Sequence, residues 1–308
     1  MDAAPRLRGR TREMRVIDAA LAGARSGQGA VVLIDGRAGL GKTRLLEEAL
    51  RIAERFGMRT GLGRADIDET AVPMSALMSA CFGGQTPMLD REKLAMLRTA
   101  SVDRYWLLLE LEEMLERAAR EQPMLICLDD LQWADTGTAD ALRSLPVRMA
   151  GVPIVWLVAY RAAEASVMLM RAIRELEDEK AARLVLDPLS GAAVAEVITD
   201  LTNAQADGNL LGLTDSAHGV PFFLIELLRG LLEEGLVQIH GTRAVLVEDR
   251  LPSRVRDSMR ERLERVSGQA RQAAIAGSVL GRSFRLEDVA TMLDTTPAAL
   301  VLEVAPRA

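Results

Sequence analysis

Through the first 165 residues, short continuous apolar runs alternate with stretches in which apolar residues recur every three or four positions. Ala30–Ile34 (AVVLI), Met124–Leu128 (MLICL) and Pro153–Tyr160 (PIVWLVAY) are such runs, the pattern of strands buried on both faces. Thr11 is positioned to cap a helix over Met14, Ile17, Leu21 and Ala24 that ends in the Gly27–Gly29 region, because a threonine hydroxyl satisfies a free N–H of a first turn. A second helix is expected from about Lys42 to Phe56, closed by Gly57. Met58–Gly63 reads as another strand, and residues 64–100 as short helices and loops. Helical spacing returns from Arg104 to Glu121 until Pro123 stops it, and Thr138–Ala150 is again helical. Strands separated by helices predict a parallel sheet covered on both faces.

After Arg161 the strand signal mostly stops. A charged helix (Ala165–Lys180) and a short strand (Arg183–Leu186) lead to helices at about 190–202, 208–217 and 221–234, so this part is expected to be mainly helical. From Leu251 a new unit begins, with Val255, Met259, Leu263 and Val266 on one helical face. Helices near 269–280 and 286–293 follow, and Thr296-Pro297 starts a last one. The expected domains are residues 1–165, 166–250 and 251–308.

Composition narrows the function classes. Aromatic residues make up 3% of 308, so the cores are built from Ala, Leu, Val, Ile and Met. A formal charge of −6 leaves no basic footprint, so direct nucleic-acid contact is not expected from this segment. Cys81 and Cys127 are the only cysteines, and His218 and His240 the only histidines. No disulfide framework, Cys-based metal site or Ser-His-Asp triad is therefore expected. No apolar stretch approaches the ~18 residues of a membrane span and the N-terminus has no hydrophobic signal core. A cytoplasmic protein without membrane contact is expected.

The strongest chemical signal is Gly36-Arg37-Ala38-Gly39-Leu40-Gly41-Lys42-Thr43, a G-x-x-x-x-G-K-[ST] sequence between a buried strand and a helix. Glycines let the backbone wrap so that successive N–H groups converge on phosphate oxygens, and the following helix adds its positive end. Lys42 would reach the β- and γ-phosphates, and the Thr43 hydroxyl would ligate Mg²⁺. The chain has only three lysines (Lys42, Lys93 and Lys180), and one stands where an ammonium is needed. The nucleotide contacts expected here are Gly36 to Thr43 together with Arg44.

Met124–Leu128 runs into Asp129-Asp130, two carboxylates at a strand end, the edge of a parallel sheet where phosphate ligands sit. Asp129 is assigned to the metal and Asp130 to polarising the attacking water. Arg161 ends the next strand and could contact the γ-phosphate, although an arginine also commonly just closes a strand. The catalytic set expected is Lys42, Asp130 and Arg161; the metal set is Thr43 and Asp129.

Leu7-Arg8-Gly9-Arg10, DGRAGLGKTRLLEE, LICLDDLQWAD, VWLVAYR and HGVPFFLIELL together resemble the ATPase module of large bacterial LuxR-type transcription regulators, in the STAND branch of the AAA-like P-loop NTPases. The resemblance runs from Leu7 to about Leu293. It implies a three-layer α/β P-loop NTPase with a parallel sheet, followed by a helical lid and the start of a winged-helix-like unit, with ATP or ADP and Mg²⁺ as ligands. It also implies that Gly9 and Arg10 lie near the adenine and that Pro221 packs on the base with Gly219 making the turn. Gly219-Val220-Pro221 is equally an ordinary helix start. Trp133 has precedent in the family, and a packing anchor beneath the metal loop is its other reading. The helical repeats and DNA-binding helix-turn-helix usual in such regulators do not occur here. The chain is thus expected to be a piece of a longer regulator, its effector or DNA-binding domain supplied elsewhere, or a short stand-alone relative.

The function expected is a nucleotide-dependent conformational switch with slow ATP hydrolysis and an open question of nucleotide-dependent self-association. An oligomeric AAA-type motor, as in replication initiators or loaders, is the alternative. A small-molecule kinase is a third, for which no acceptor-binding element is recognisable.

Overall fold

The computed structural model describes residues 6–69, 72–84, 87–90, 104–280 and 285–304. The part of the expected loop-and-helix region at 91–100, which includes Lys93, lies outside the described residues. The chain divides into two compact units: residues up to Asp200 with His218–Phe222, and Leu201–Ala217 with the chain from Phe223 onward.

The first unit is built on five parallel strands: β1 (Ala30–Asp35), β2 (Arg59–Arg64), β3 (Met124–Asp129), β4 (Ile154–Tyr160) and β5 (Ala182–Val185), ordered β2-β3-β4-β1-β5. Every residue of β3 and β4 is buried, which explains their unbroken apolar sequences: alternate side chains point to opposite faces and both faces are covered. Met124, Ile126 and Leu128 pack with Ile154, Trp156 and Val158 on one face. Helices Ser75–Phe82, Arg104–Glu121, Thr136–Arg148 and Val167–Asp178 cover that face. Leu125, Cys127, Val155 and Leu157 point the other way, against helices α1 (Thr11–Arg25) and α2 (Lys42–Arg55) through Ile17, Leu21, Leu45 and Leu46. The expected three-layer α/β arrangement is thus realised. Cys81 and Cys127 are free and buried, and burial raises the Cys81 thiol to about 12.

Local differences from the sequence reading have simple causes. Thr11 is not the cap of α1 but its first helical residue; the capping position is Arg10, which makes no side-chain cap bond. Thr138 likewise lies inside its helix, because Asp135 accepts hydrogen bonds from Gly137 N and Thr138 N and so sets an earlier start. The pattern from 166 to 250 predicts a mainly helical region, yet the second unit holds a small sheet of Gln205–Ala206 (β6), Val237–His240 (β7) and Arg243–Leu246 (β8). β7 and β8 form an antiparallel hairpin across Gly241, with Ile239 opposite Ala244. Strands of two to four residues are too short to show a period of two. From Ser253 onward the described elements are helices Ser253–Arg265, Gly268–Leu280, Leu286–Met292 and Pro297–Val304. Ala273, Ala276, Val289, Ala290 and Leu300 form a core shared by the last three. The Met259 side chain, expected on the apolar face of the first of these, lies outside the described residues. No helix among the described residues is long and apolar enough to cross a membrane.

Candidate functional site

Because all five strands run the same way, their C-terminal ends share one edge of the sheet. β1 ends at Asp35, and residues 36–41 turn directly into α2. Gly39 has φ +80°, left-handed space that suits glycine. A Cβ there would also lie 3.0 Å from Val220 Cγ1 and 3.1 Å from Phe222 Cβ. α2 starts without a side-chain cap and without an acid in its first turn, so its first N–H groups and its positive end are not offset by the helix's own residues. Lys42 is 6% exposed. Its Nζ donates to the carbonyl oxygens of Gly36 (2.6 Å) and Arg37 (3.3 Å), which folds the ammonium back over the turn. Burial pushes its pKa below the ordinary lysine range, and the Arg161 charge pushes the same way.

Two segments distant in sequence hold this loop. Arg10 Nη2 donates to Leu40 O (3.0 Å) and to Asp187 O (2.8 Å). On another side, Phe222 N donates to Gly39 O (3.2 Å). The Gly219-Val220-Pro221 turn that delivers Phe222 is part of the first unit, where the Leu189 amide donates to Gly219 O at 2.7 Å.

Opposite the loop, Asp129 is fully buried. Its Oδ2 accepts from Thr43 Oγ1 (2.7 Å) and from Arg64 Nη2 (3.1 Å), and its Oδ1 from Asp130 N (2.9 Å). Asp130 stands at φ +53°, where Gln132 Nε2 donates to its Oδ1 (3.0 Å) and Arg161 Nη2 lies 3.7 Å from the same oxygen. Arg161 also pairs with Glu164 at 2.8 Å, and its guanidinium lies 5.2 Å from the centroid of the Trp133 ring. That stacking is a cation–π contact, and it gives Trp133 a partner as well as a packing role.

Residues 6–157 match the family model of the AAA ATPase domain. The ORC2 protein of Aeropyrum pernix, solved in ADPNP–ADP complexes, shares the fold with a TM-score of 0.59 at 19% identity, over 100% of this chain and 84% of that one. The fold is that of a P-loop NTPase. The A. pernix ORC1 protein, solved in complex with DNA, matches with a TM-score of 0.53 at 17% identity, over 96% of this chain and 82% of that one. Identities this low speak to the fold alone. No curated protein matches the chain in sequence.

In this P-loop NTPase fold the end of the sheet brings together Lys42, Thr43, Asp129, Asp130 and Arg161, the five residues expected to carry the catalytic and metal roles. Gly36–Gly41 form the loop itself, and four further expected contacts have their own surroundings. Arg44 lies along α2 beside Glu47 (3.4 Å) and Glu48 (3.8 Å). Gly9, at φ +66°, sits where a Cβ would come 2.7 Å from Ala193 Cβ. Arg10 spends its guanidinium on the backbone of Leu40 and Asp187, and Pro221 is the first residue of helix Pro221–Glu233. Two residues at the acidic end escaped the sequence reading. Arg64 is brought in by the pairing of β2 with β3, which no local pattern reveals. Gln132 stands two positions after Asp130, within the LICLDDLQWAD stretch, and that proximity was the available signal.

Proposed function

We propose that this chain is an ATP/ADP-binding regulatory module of a LuxR-type transcription regulator, in which the bound nucleotide sets the conformation and hydrolysis is slow. The observation that carries the proposal is the hydrogen bond from Phe222 N to Gly39 O. It joins the loop that would cradle phosphates to the first turn of helix Pro221–Glu233. A rearrangement of the loop on gaining or losing a γ-phosphate therefore acts on the start of that helix. A ligand shifts such an equilibrium only by its differential affinity for the two states. Lys42 and Arg161 are the cations placed to supply the difference.

Asp129 and Thr43 fit a magnesium ion. They offer a carboxylate and a hydroxyl oxygen 2.7 Å apart, and Mg²⁺ bound with a nucleotide takes few protein oxygens, completing its shell with water and phosphate. The ion would neutralise phosphate charge. Asp130 is the proposed group that orients water. Its pairing with Gln132 and Arg161 engages the carboxylate and favours slow turnover. The alternative, an oligomeric AAA-type motor acting on nucleic acid, finds no support in a formal charge of −6. Output would pass to an effector domain or partner, and self-association would follow the nucleotide state. Limited proteolysis with ATP and with ADP, each shown to be bound, tests the switch: different cleavage patterns support it and identical patterns overturn it.

A further inference from the structure

Arg64 is the last residue of β2, and the parallel register sets it opposite Asp129. Its guanidinium reaches over both carboxylates, 3.1 Å from Asp129 Oδ2 and 3.8 Å from Asp130 Oδ2. The exposures are unequal: the Asp129 side chain is fully buried, whereas that of Arg64 is 55% exposed. Arg64 therefore comes from the solvent side to cover a charge that has no solvent of its own.

Other cations nearby are committed elsewhere. Lys42 Nζ is bound to the carbonyl oxygens of Gly36 and Arg37, and Arg161 pairs with Asp130 and Glu164. Among the described residues, Arg64 is the cation paired with Asp129. A buried carboxylate needs such a partner, and an arginine cannot relieve the contact by losing its proton. The oxygen it holds, Asp129 Oδ2, is also the one that accepts from Thr43 Oγ1.

We infer that Arg64 is a displaceable counter-cation of the metal site, neutralising Asp129 in the absence of metal and yielding that carboxylate when Mg²⁺ arrives with the nucleotide. The inference rests on the reading of Asp129 and Thr43 as the metal side. Two cations competing for one carboxylate oppose each other by charge, and a half-exposed guanidinium can withdraw into water. Arg64 thereby raises the Mg²⁺ concentration at which nucleotide is held tightly. Without metal it does the opposite, shielding incoming phosphates from the otherwise unpaired charge of Asp129. It is a positioning residue, acting through Asp129.

The test is a Mg²⁺ titration of the binding of a fluorescent ADP analogue to the full chain, compared among the parent, Arg64→Gln and Arg64→Lys. In Arg64→Gln the half-saturating Mg²⁺ concentration should fall about threefold to fivefold, the upper range for a half-exposed ion pair. Affinity for the analogue in EDTA should fall as well. Arg64→Lys keeps the charge but not the two-pronged donor geometry, and should lie between the two. A purely structural role would weaken binding at every Mg²⁺ concentration, and that result would overturn the inference. So would an Arg64→Gln titration superimposable on the parent's while the parent still shows Mg²⁺-dependent binding. A parent that binds the analogue identically with Mg²⁺ and with EDTA would instead remove the metal site itself, and the inference with it.

Discussion

Replacing Arg10 by alanine separates two roles for that residue, one played in the protein alone and one that needs ligand. Arg10 is 5% exposed, and its Nη2 supplies hydrogen bonds to Leu40 O and Asp187 O at 3.0 and 2.8 Å. Alanine removes the donor from both carbonyls at once. A buried acceptor stripped of its partner costs ~1–3 kcal/mol. With one contact buried and the other partly buried, the loss sums to about 3 kcal/mol. The 3.4 Å pairing with Glu13, a side chain only 12% exposed, adds to this loss, because removing one partner leaves a largely buried charge unpaired. In a unit of some 150–250 residues, each kcal/mol moves the melting temperature by ~2–4 °C, so Arg10→Ala should melt ~6–12 °C early. Trp106, Trp133 and Trp156 all belong to the first unit, so tryptophan emission during a thermal ramp without nucleotide reports the relevant transition. A variant that melts within ~2 °C of the parent, yet binds adenine nucleotide more weakly, would refute the reasoning. Arg10 would then act on the ligand, as the family resemblance implies, and the backbone contacts would carry no weight.

Other consequences follow from the same geometry. Gly39→Ala forces a side chain into left-handed backbone, ~1–2 kcal/mol by itself, and against Val220 and Phe222 at 3.0 and 3.1 Å; a lower melting temperature and weaker nucleotide binding are expected, and parental values in both would contradict the packing described. Arg161→Ala should lose discrimination between ATP and ADP, measured as the ratio of their dissociation constants; a parental ratio would exclude Arg161 as the γ-phosphate contact. Hydrogen bonding from Arg8 holds the Asp200 carboxyl below the ordinary aspartate range, through contacts of 2.7 and 2.8 Å. For an acid with a lowered pKa, this stabilisation is present above the unfolded value of ~3.9 and is lost as pH falls through the folded value. The stability gap between the parent and Arg8→Ala should therefore be steady at neutral pH and close in acid, as followed by urea denaturation at several pH values. A gap independent of pH would remove the ion pair as its cause.

What could be read from the sequence was whatever is written locally. β1, β3 and β4 are legible because burial on both faces demands unbroken apolar runs, and the loop from Gly36 to Thr43 because a phosphate cradle needs its glycines and its lysine in one short stretch. Asp129 and Asp130 follow from their place at the end of β3. Arg64 was illegible because its role depends on a partner 65 positions away, placed by strand register. Arg10 illustrates the same limit from the other direction: a motif marked the residue, but its partners Leu40 and Asp187 come only from the folded chain. The hairpin of β7 and β8 was lost among helices because four-residue strands carry almost no periodic signal.

Titration calorimetry on the folded chain with ATP and ADP, magnesium included, run beside a Lys42→Ala variant shown to be folded, addresses the phosphate loop most directly. The parent should release or absorb heat with both nucleotides and the variant with neither. A silent parent, or a variant that binds as the parent does, would contradict the assignment of the Gly36–Thr43 loop.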